Sequence, residues 1–235
     1  TLCSPAFEAR MSRFKTVFAA AAAAFALAGA ADAAIVTVRD NPNNGSSVFA
    51  TGLGRNVSIS HNGANRTVGA GVFSLQFKQD GGWTDFQTFC LQLDERLTLP
   101  KDHQTVDDDA YFPSASDRNA IGTLYGNFLT PEIGLHDSTS AAALQTVLWE
   151  IVEDGADNFN LRSGSFKVLT LDVLRKAEAF WALIATGDFK PVRFDVFAAA
   201  GTQDLLAPEV PIPGAAVLFG TALAGFAFAR RQRKN

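Results

Sequence analysis

Two short stretches hold the residue types with the most chemical potential, Phe89-Cys90-Leu91-Gln92-Leu93 and Leu144-Gln145-Thr146-Val147-Leu148-Trp149. A cysteine thiol and a glutamine side-chain amide can condense, the sulfur displacing ammonia and leaving an acyl thioester. Such a bond stores reactivity with no cofactor and no metal, because a thiolate leaves far more readily than the amide nitrogen it replaces. Water would consume it, so it needs dry surroundings. Phe89 and Trp149 are bulky apolar neighbours of the type that could provide them. Gln145 and Trp149 are four residues apart and would project from neighbouring positions on one face of a helix.

Two other readings of the same residues stay open. Cys90 can be a buried core thiol beside ordinary helix packing, since free cysteine is often buried. It can also be an enzymatic nucleophile activated by His103 or His136. Neither histidine sits in a recognisable catalytic motif, so an enzyme is not the expectation. The acidic run Asp107-Asp108-Asp109 lacks the spacing and closing Glu of a calcium loop and is expected to be a solvated face.

The elements that must position Cys90 and Gln145 follow from periodicity. From about 35 to 100 the chain offers short alternating segments divided by Gly and Asn: Ile35 to Arg39, Val48 to Thr51, Asn56 to His61, Thr67 to Val68 and Val72 to Lys78. Asp80-Gly81-Gly82 predicts a hairpin turn before one long run, Trp83 to Leu99, with Cys90 in mid-strand or at a strand end on its less apolar face. Lys101 to Asp109 looks loop-like. A helix capped by Ser116 or Asp117 is expected to reach about Leu129. The next, capped by Asp137 or Ser138, carries the stripe Leu144, Val147, Leu148, Ile151 and ends before Asp154-Gly155. A third helix is expected over Leu169 to Thr186. A strand returns within 191–198 and a linker occupies 201–209. The predicted fold class is α+β, an antiparallel β-sandwich-like body with a helical insertion or subdomain. It is β-rich over 35–100 and mainly helical over 101–190.

The ends have a different composition. Residues 1–10 are read as an upstream extension, with translation expected from Met11. Over 11–34, a basic start (Arg13, Lys15), an apolar run and Ala31-Asp32-Ala33 form the pattern of a cleaved secretory signal peptide. Export would leave Cys90 alone in a compartment where cysteines are usually paired, which calls for a reason. At the other end, Val210-Pro211-Ile212-Pro213 precedes a hydrophobic helix expected over 214–229, and Arg230, Arg231, Arg233 and Lys234 form a basic stop of cytoplasmic type. The chain of 235 residues is 47% hydrophobic and has a net charge of -4, so it offers no basic footprint for nucleic acid. Its 20 Phe against 2 Tyr indicate a well-stocked core.

The tail 210–235, with Val210, Pro211 and Pro213 as its motif, resembles the PEP-CTERM sorting signal in its Val-Pro-x-Pro variant. That resemblance implies an exosortase-type processing enzyme as partner, transient anchoring in the inner membrane, and release or attachment at the cell surface. The two central stretches resemble the bacterial thioester domain family of surface adhesins, in which an aromatic-Cys-Leu segment pairs with an apolar-Gln-x-x-apolar-Trp segment. The resemblance spans 35–208 and implies Cys90 as the sulfur donor, Gln145 as the acyl donor, and Phe89 and Trp149 as the residues packed beside the bond. Where the family often has Thr before the Gln and Ala-Ile before the Trp, this chain has Leu144 and Val147-Leu148. The implied function is single-turnover covalent attachment to a surface-protein amine or a polysaccharide hydroxyl, in adhesion or in a biofilm matrix. The alternative is a structural surface or matrix protein without covalent chemistry.

Overall fold

The computed structural model describes residues 34–79, 81–128, 135, 137–186 and 189–209. Ala34–Val210 form one compact unit. The expected signal peptide over 11–34 apart from its last residue, the Val-Pro-x-Pro motif, the helix expected over 214–229 and the expected basic stop lie outside the described residues, as does His136. Among the described residues no helix is long and apolar enough to cross a membrane.

The protein is α+β, with an antiparallel sheet body and a helical part. Its strands are β1 (Ile35–Asp40), β2 (Phe49–His61), β3 (Ala64–Gln79), β4 (Gly82–Thr88) and β5 (Lys101–Asp107). After the one-turn helix α1 (Asp108–Tyr111) come helices α2 (Ala115–Phe128) and α3 (Ser138–Asp154). The short strand β6 (Phe166–Val168), helix α4 (Leu171–Ala185) and strands β7 (Phe194–Ala198) and β8 (Leu205–Pro208) complete the described chain. The sheet runs β6-β2-β3-β1-β5-β7-β8, with β4 added on β3.

Strand β3 is long enough to serve three partners. Its first part forms a hairpin with β2 through Asn62 and Gly63, whose φ angles of 50° and 82° are those a two-residue turn of this hand demands. Its second part pairs with β1 and with β4. Phe197 of β7 meets Phe77 of β3 and Phe86 of β4 at 5.5 and 5.6 Å between ring centroids. Two strands separate β7 from β3 in the sheet, so this contact crosses the interior: the sheet folds over on itself around a Phe-rich core.

Several expectations change. Lys101 to Asp109 is mostly strand: β5 lies between β1 and β7. Its composition is polar because largely one position, His103, turns fully inward while most of the others face outward. Of the acidic run, Asp107 ends β5, and Asp108 is buried and paired with Arg193 at 2.9 Å rather than solvated. The long strand Trp83 to Leu99 stops at Thr88, because the chain leaves β3 there for another partner. Residues 201–209 are not a linker; they contain β8, whose Leu205, Leu206 and Ala207 are fully buried.

Candidate functional site

Past Thr88, residues 89–91 continue in extended form and pair with β8. The Leu206 N–H donates to Phe89 O (3.0 Å) and the Leu91 N–H donates to Asp204 O (2.9 Å), with Cys90 opposite Leu205. Thr88 Oγ1 donates to the Leu206 carbonyl and fastens the crossing. In this antiparallel pattern the bonds flank Cys90, so its own N–H and C=O point away from β8. They would be buried and unsatisfied without a partner from the other side.

Helix α3 supplies that partner. Asp137 caps it by accepting from the Ser140 N–H at 2.7 Å, and Gly155 at φ 83° closes it, its N–H on Ile151 O. The small residues Ala141, Ala142 and Ala143 are fully buried and let the helix lie close against β2 and β3. Every residue from Ser140 to Ile151 is buried, so the helix is central to the fold rather than half-exposed along one stripe.

Gln145 meets Cys90 with both ends of its amide. The Cys90 N–H donates to Gln145 Oε1 at 3.2 Å, and Gln145 Nε2 donates to Cys90 O at 2.7 Å. Cys90 Sγ lies 3.7 Å from the same Oε1. Both residues are 1% exposed. Phe89 and Leu91 are fully buried on either side of Cys90, and Trp149, 2% exposed, sits one turn along α3 from Gln145 with its ring against Phe166. The structure thus brings the pair Phe89 and Cys90 together with the pair Gln145 and Trp149, more than fifty positions away in sequence.

Burial pushes the Cys90 thiol up to about 12. Three donors oppose that rise: the Trp149 indole, the backbone N–H at Cys90 and the Gln203 side chain. The Trp149 Nε1–H makes no hydrogen bond within ordinary limits, yet it is close enough to the sulfur to favour negative charge there. A resting thiol in this place is protonated and inert. Negative charge developing on the sulfur, however, would find donors already in place, and charge on Oε1 would find the Cys90 N–H.

The 202–204 segment completes the site. Gln203 is half-buried; its Nε2 donates to Gln92 O at 3.2 Å, and its side chain favours negative charge on the thiol. Asp204 accepts from Gln92 Nε2 (2.9 Å), Tyr111 Oη (2.7 Å) and the Ala199 N–H (2.9 Å), while its own N–H donates to Gln92 Oε1 (3.0 Å). Sequence reasoning missed Gln92, Gln203 and Asp204. The available signal was the short apolar run Leu205-Leu206-Ala207 after a polar triplet, which has the composition of a buried strand rather than of a linker.

His103, weighed in sequence as a possible activator of Cys90, has no direct contact with it. Its Nδ1 donates to Lys101 O at 3.1 Å, and its Nε2 is buried with no hydrogen-bond partner. Among the described residues no group of three or more His, Cys, Asp or Glu is arranged to hold a metal. Comparisons with protein-family models, with curated proteins and with solved structures give no match.

Proposed function

We propose that this protein is an exported surface protein whose Cys90 and Gln145 form an internal thioester, used once per molecule to attach covalently to a nucleophile on another surface. The observation that carries this reading is the seating of the Gln145 amide on Cys90, with Oε1 on the backbone N–H and 3.7 Å from Sγ, in a place that excludes water. The Cys90 N–H polarises the amide carbonyl and is positioned to stabilise the oxyanion formed when sulfur adds to Cδ. As the C–S bond forms the C–N bond breaks, the thiol proton goes to the departing nitrogen, and ammonia leaves. No other reagent is needed.

Capture reverses the polarity of the step. An amine or hydroxyl adds to Gln145 Cδ, the C–S bond breaks, and the sulfur departs towards the Trp149 and Gln203 donors. The product is a stable amide or ester and a free Cys90 thiol. The protein is consumed in the act, so it is a binder and not an enzyme. The leader over 11–34 and the sorting tail over 210–235 belong to this reading as sequence patterns that would carry the domain out of the cell and hold it at the envelope.

A second reading is favoured by the same contacts. Gln145 satisfies the two backbone groups that β8 leaves open on Cys90, which is what a purely structural glutamine would do. The two readings part on exposure to methylamine. The thioester form takes up one methylamine per chain at Gln145 and releases one thiol at Cys90; the structural form takes up none, and that result would remove the covalent function.

A further inference from the structure

A hollow of about 240 Å³ lies between helices α2 and α4, beside the one-turn helix Ala156–Asn158. Helix α2 lines it with Ser116, Asn119, Ala120 and Thr123, the i, i+3, i+4, i+7 spacing of a single helical face. Ala120, Ala156 and Ala185 leave space that larger side chains would fill. One wall is Trp181, a half-buried residue whose ring stacks on Phe159 at 3.9 Å between centroids and 6° between planes. Phe159 is not part of the wall, so the indole surface that the hollow meets is surface that Phe159 leaves uncovered.

The polar groups around this ring are held in place without being used up. Asp117 accepts from the Ala156 N–H at 2.8 Å, and Ser116 Oγ donates to Asp157 Oδ2 at 2.9 Å, which together fix residues 156–157 to the start of α2. Asp157 Oδ1, the Asn119 amide and the Thr123 hydroxyl make no hydrogen bond among the described residues. Asp157 and Asn119 are exposed at the rim, and Thr123 is 6% exposed.

We propose that this hollow binds one pyranose ring of a neutral polysaccharide, with Trp181 against the ring and Asp157, Asn119 and Thr123 on its hydroxyls. The binding is reversible and needs neither Cys90 nor Gln145. A sugar ring has a face of C–H groups and a rim of hydroxyls. The C–H face suits the electron-rich face of an indole. Each hydroxyl both donates and accepts, so a carboxylate oxygen can take its proton and an amide can answer either way. An apolar side chain in the same place would cover Asp157 and Asn119 without replacing the hydrogen bonds they make to water. Among the described residues the wall carries one charge, Asp157, and no cation, so phosphate, sulfate and uronate groups are disfavoured. The hollow is smaller than the roughly 300–1,000 Å³ of a site for a drug-sized ligand, which suits one ring of a longer chain whose neighbours run out over the surface.

The experiment is affinity electrophoresis of the purified protein through native gels containing dextran, mannan, galactan or hydroxyethylcellulose, with Cys90→Ala run beside wild type. At least one polymer retards both chains equally, and binding of that polymer in solution is unchanged in molar salt. Trp181→Ala weakens binding by about 10-fold or more. Trp181→Phe, which keeps the stack on Phe159 and an aromatic wall, retains most of it. Asn119→Ala, at an exposed helical position and so without consequence for folding, weakens it several-fold. Retardation by none of the four polymers would overturn the assignment, as would wild-type binding in both Trp181→Ala and Asn119→Ala. Binding lost in molar salt, or stronger to alginate than to every neutral polymer, would overturn the neutral-sugar assignment. Retardation confined to chains that retain Cys90 would be covalent capture, overturning the hollow and supporting the thioester. A wild-type chain that lacks no ammonia would remove the thioester and leave this inference standing.

Discussion

Two of the places where helix α3 meets polar groups of the sheet region are built on opposite principles. At Gln145 the contact is uncharged and 1% exposed, and each end of the amide answers a backbone group. Two turns further on, Glu153 accepts from His61 Nε2 at 2.8 Å, and Arg66 donates to His61 Nδ1 at 3.0 Å. Arg66 also reaches Asp94 at 3.0 Å, a side chain 69% exposed. Charge is placed where water can share it, and the dry contact uses only neutral groups whose hydrogen bonds are directional. The difference shows what the Gln145 site is suited to: holding a carbonyl still beside a sulfur with water kept out. The Glu153 cluster is suited to pinning the 93–94 loop to the β2–β3 hairpin.

Substitutions can break this contrast. The largest effect is expected from Gln145→Leu, which strands the Cys90 N–H and C=O in the interior and should cost about 2–6 kcal/mol, read as a lower urea midpoint. Glu150 comes next, because it places an ionisable group in the dry stretch of α3. One carboxylate oxygen accepts from the Asn160 N–H at 2.6 Å, the other has no partner, and burial pushes the carboxyl from 4.5 up to about 7. The folded state therefore prefers the protonated form, and stability falls as pH rises from about 4.5 through about 7. Glu150→Gln should remove that fall and gain about 1–3 kcal/mol at pH 8, checked by urea melts across the range.

Cys90→Ala leaves every backbone bond of the site in place and trims only the buried sulfur, so about 1 kcal/mol is expected in the same melts. The smallest effect belongs to the wet cluster: Asp94→Asn should cost under about 0.5 kcal/mol and vanish in molar salt. If Asp94→Asn proved as damaging as Gln145→Leu, the contrast between the two regions would be lost.

How far the sequence reveals these regions depends on where each residue finds its partner. Cys90, Gln145 and Trp149 stand out because their types are unusual together, and the α3 limits follow from Asp137 and Gly155. The α+β class follows from turn-divided strands before helical periods. What stays hidden is set by long-range pairing. β5 has the composition of a loop, because its flanking strands β1 and β7, rather than its own pattern, make it a strand. β8 has four residues and was hidden for the same reason. With β8 unseen, Gln203 and the anchor Asp204 were out of reach as well. Cys90 was legible as a residue at a strand end, but not its partner: the extension past Thr88 exists only because β8 is there to receive it.

The most direct measurement is the intact mass of the purified protein beside that of Cys90→Ala. The thioester account expects wild type to be one ammonia lighter than its processed sequence, no such deficit in the variant, and a proteolytic fragment in which the Cys90 and Gln145 peptides are joined. A full-mass wild type whose Cys90 titrates as a free thiol on unfolding would contradict it, and Gln145 would then be the structural partner of a backbone edge and nothing more.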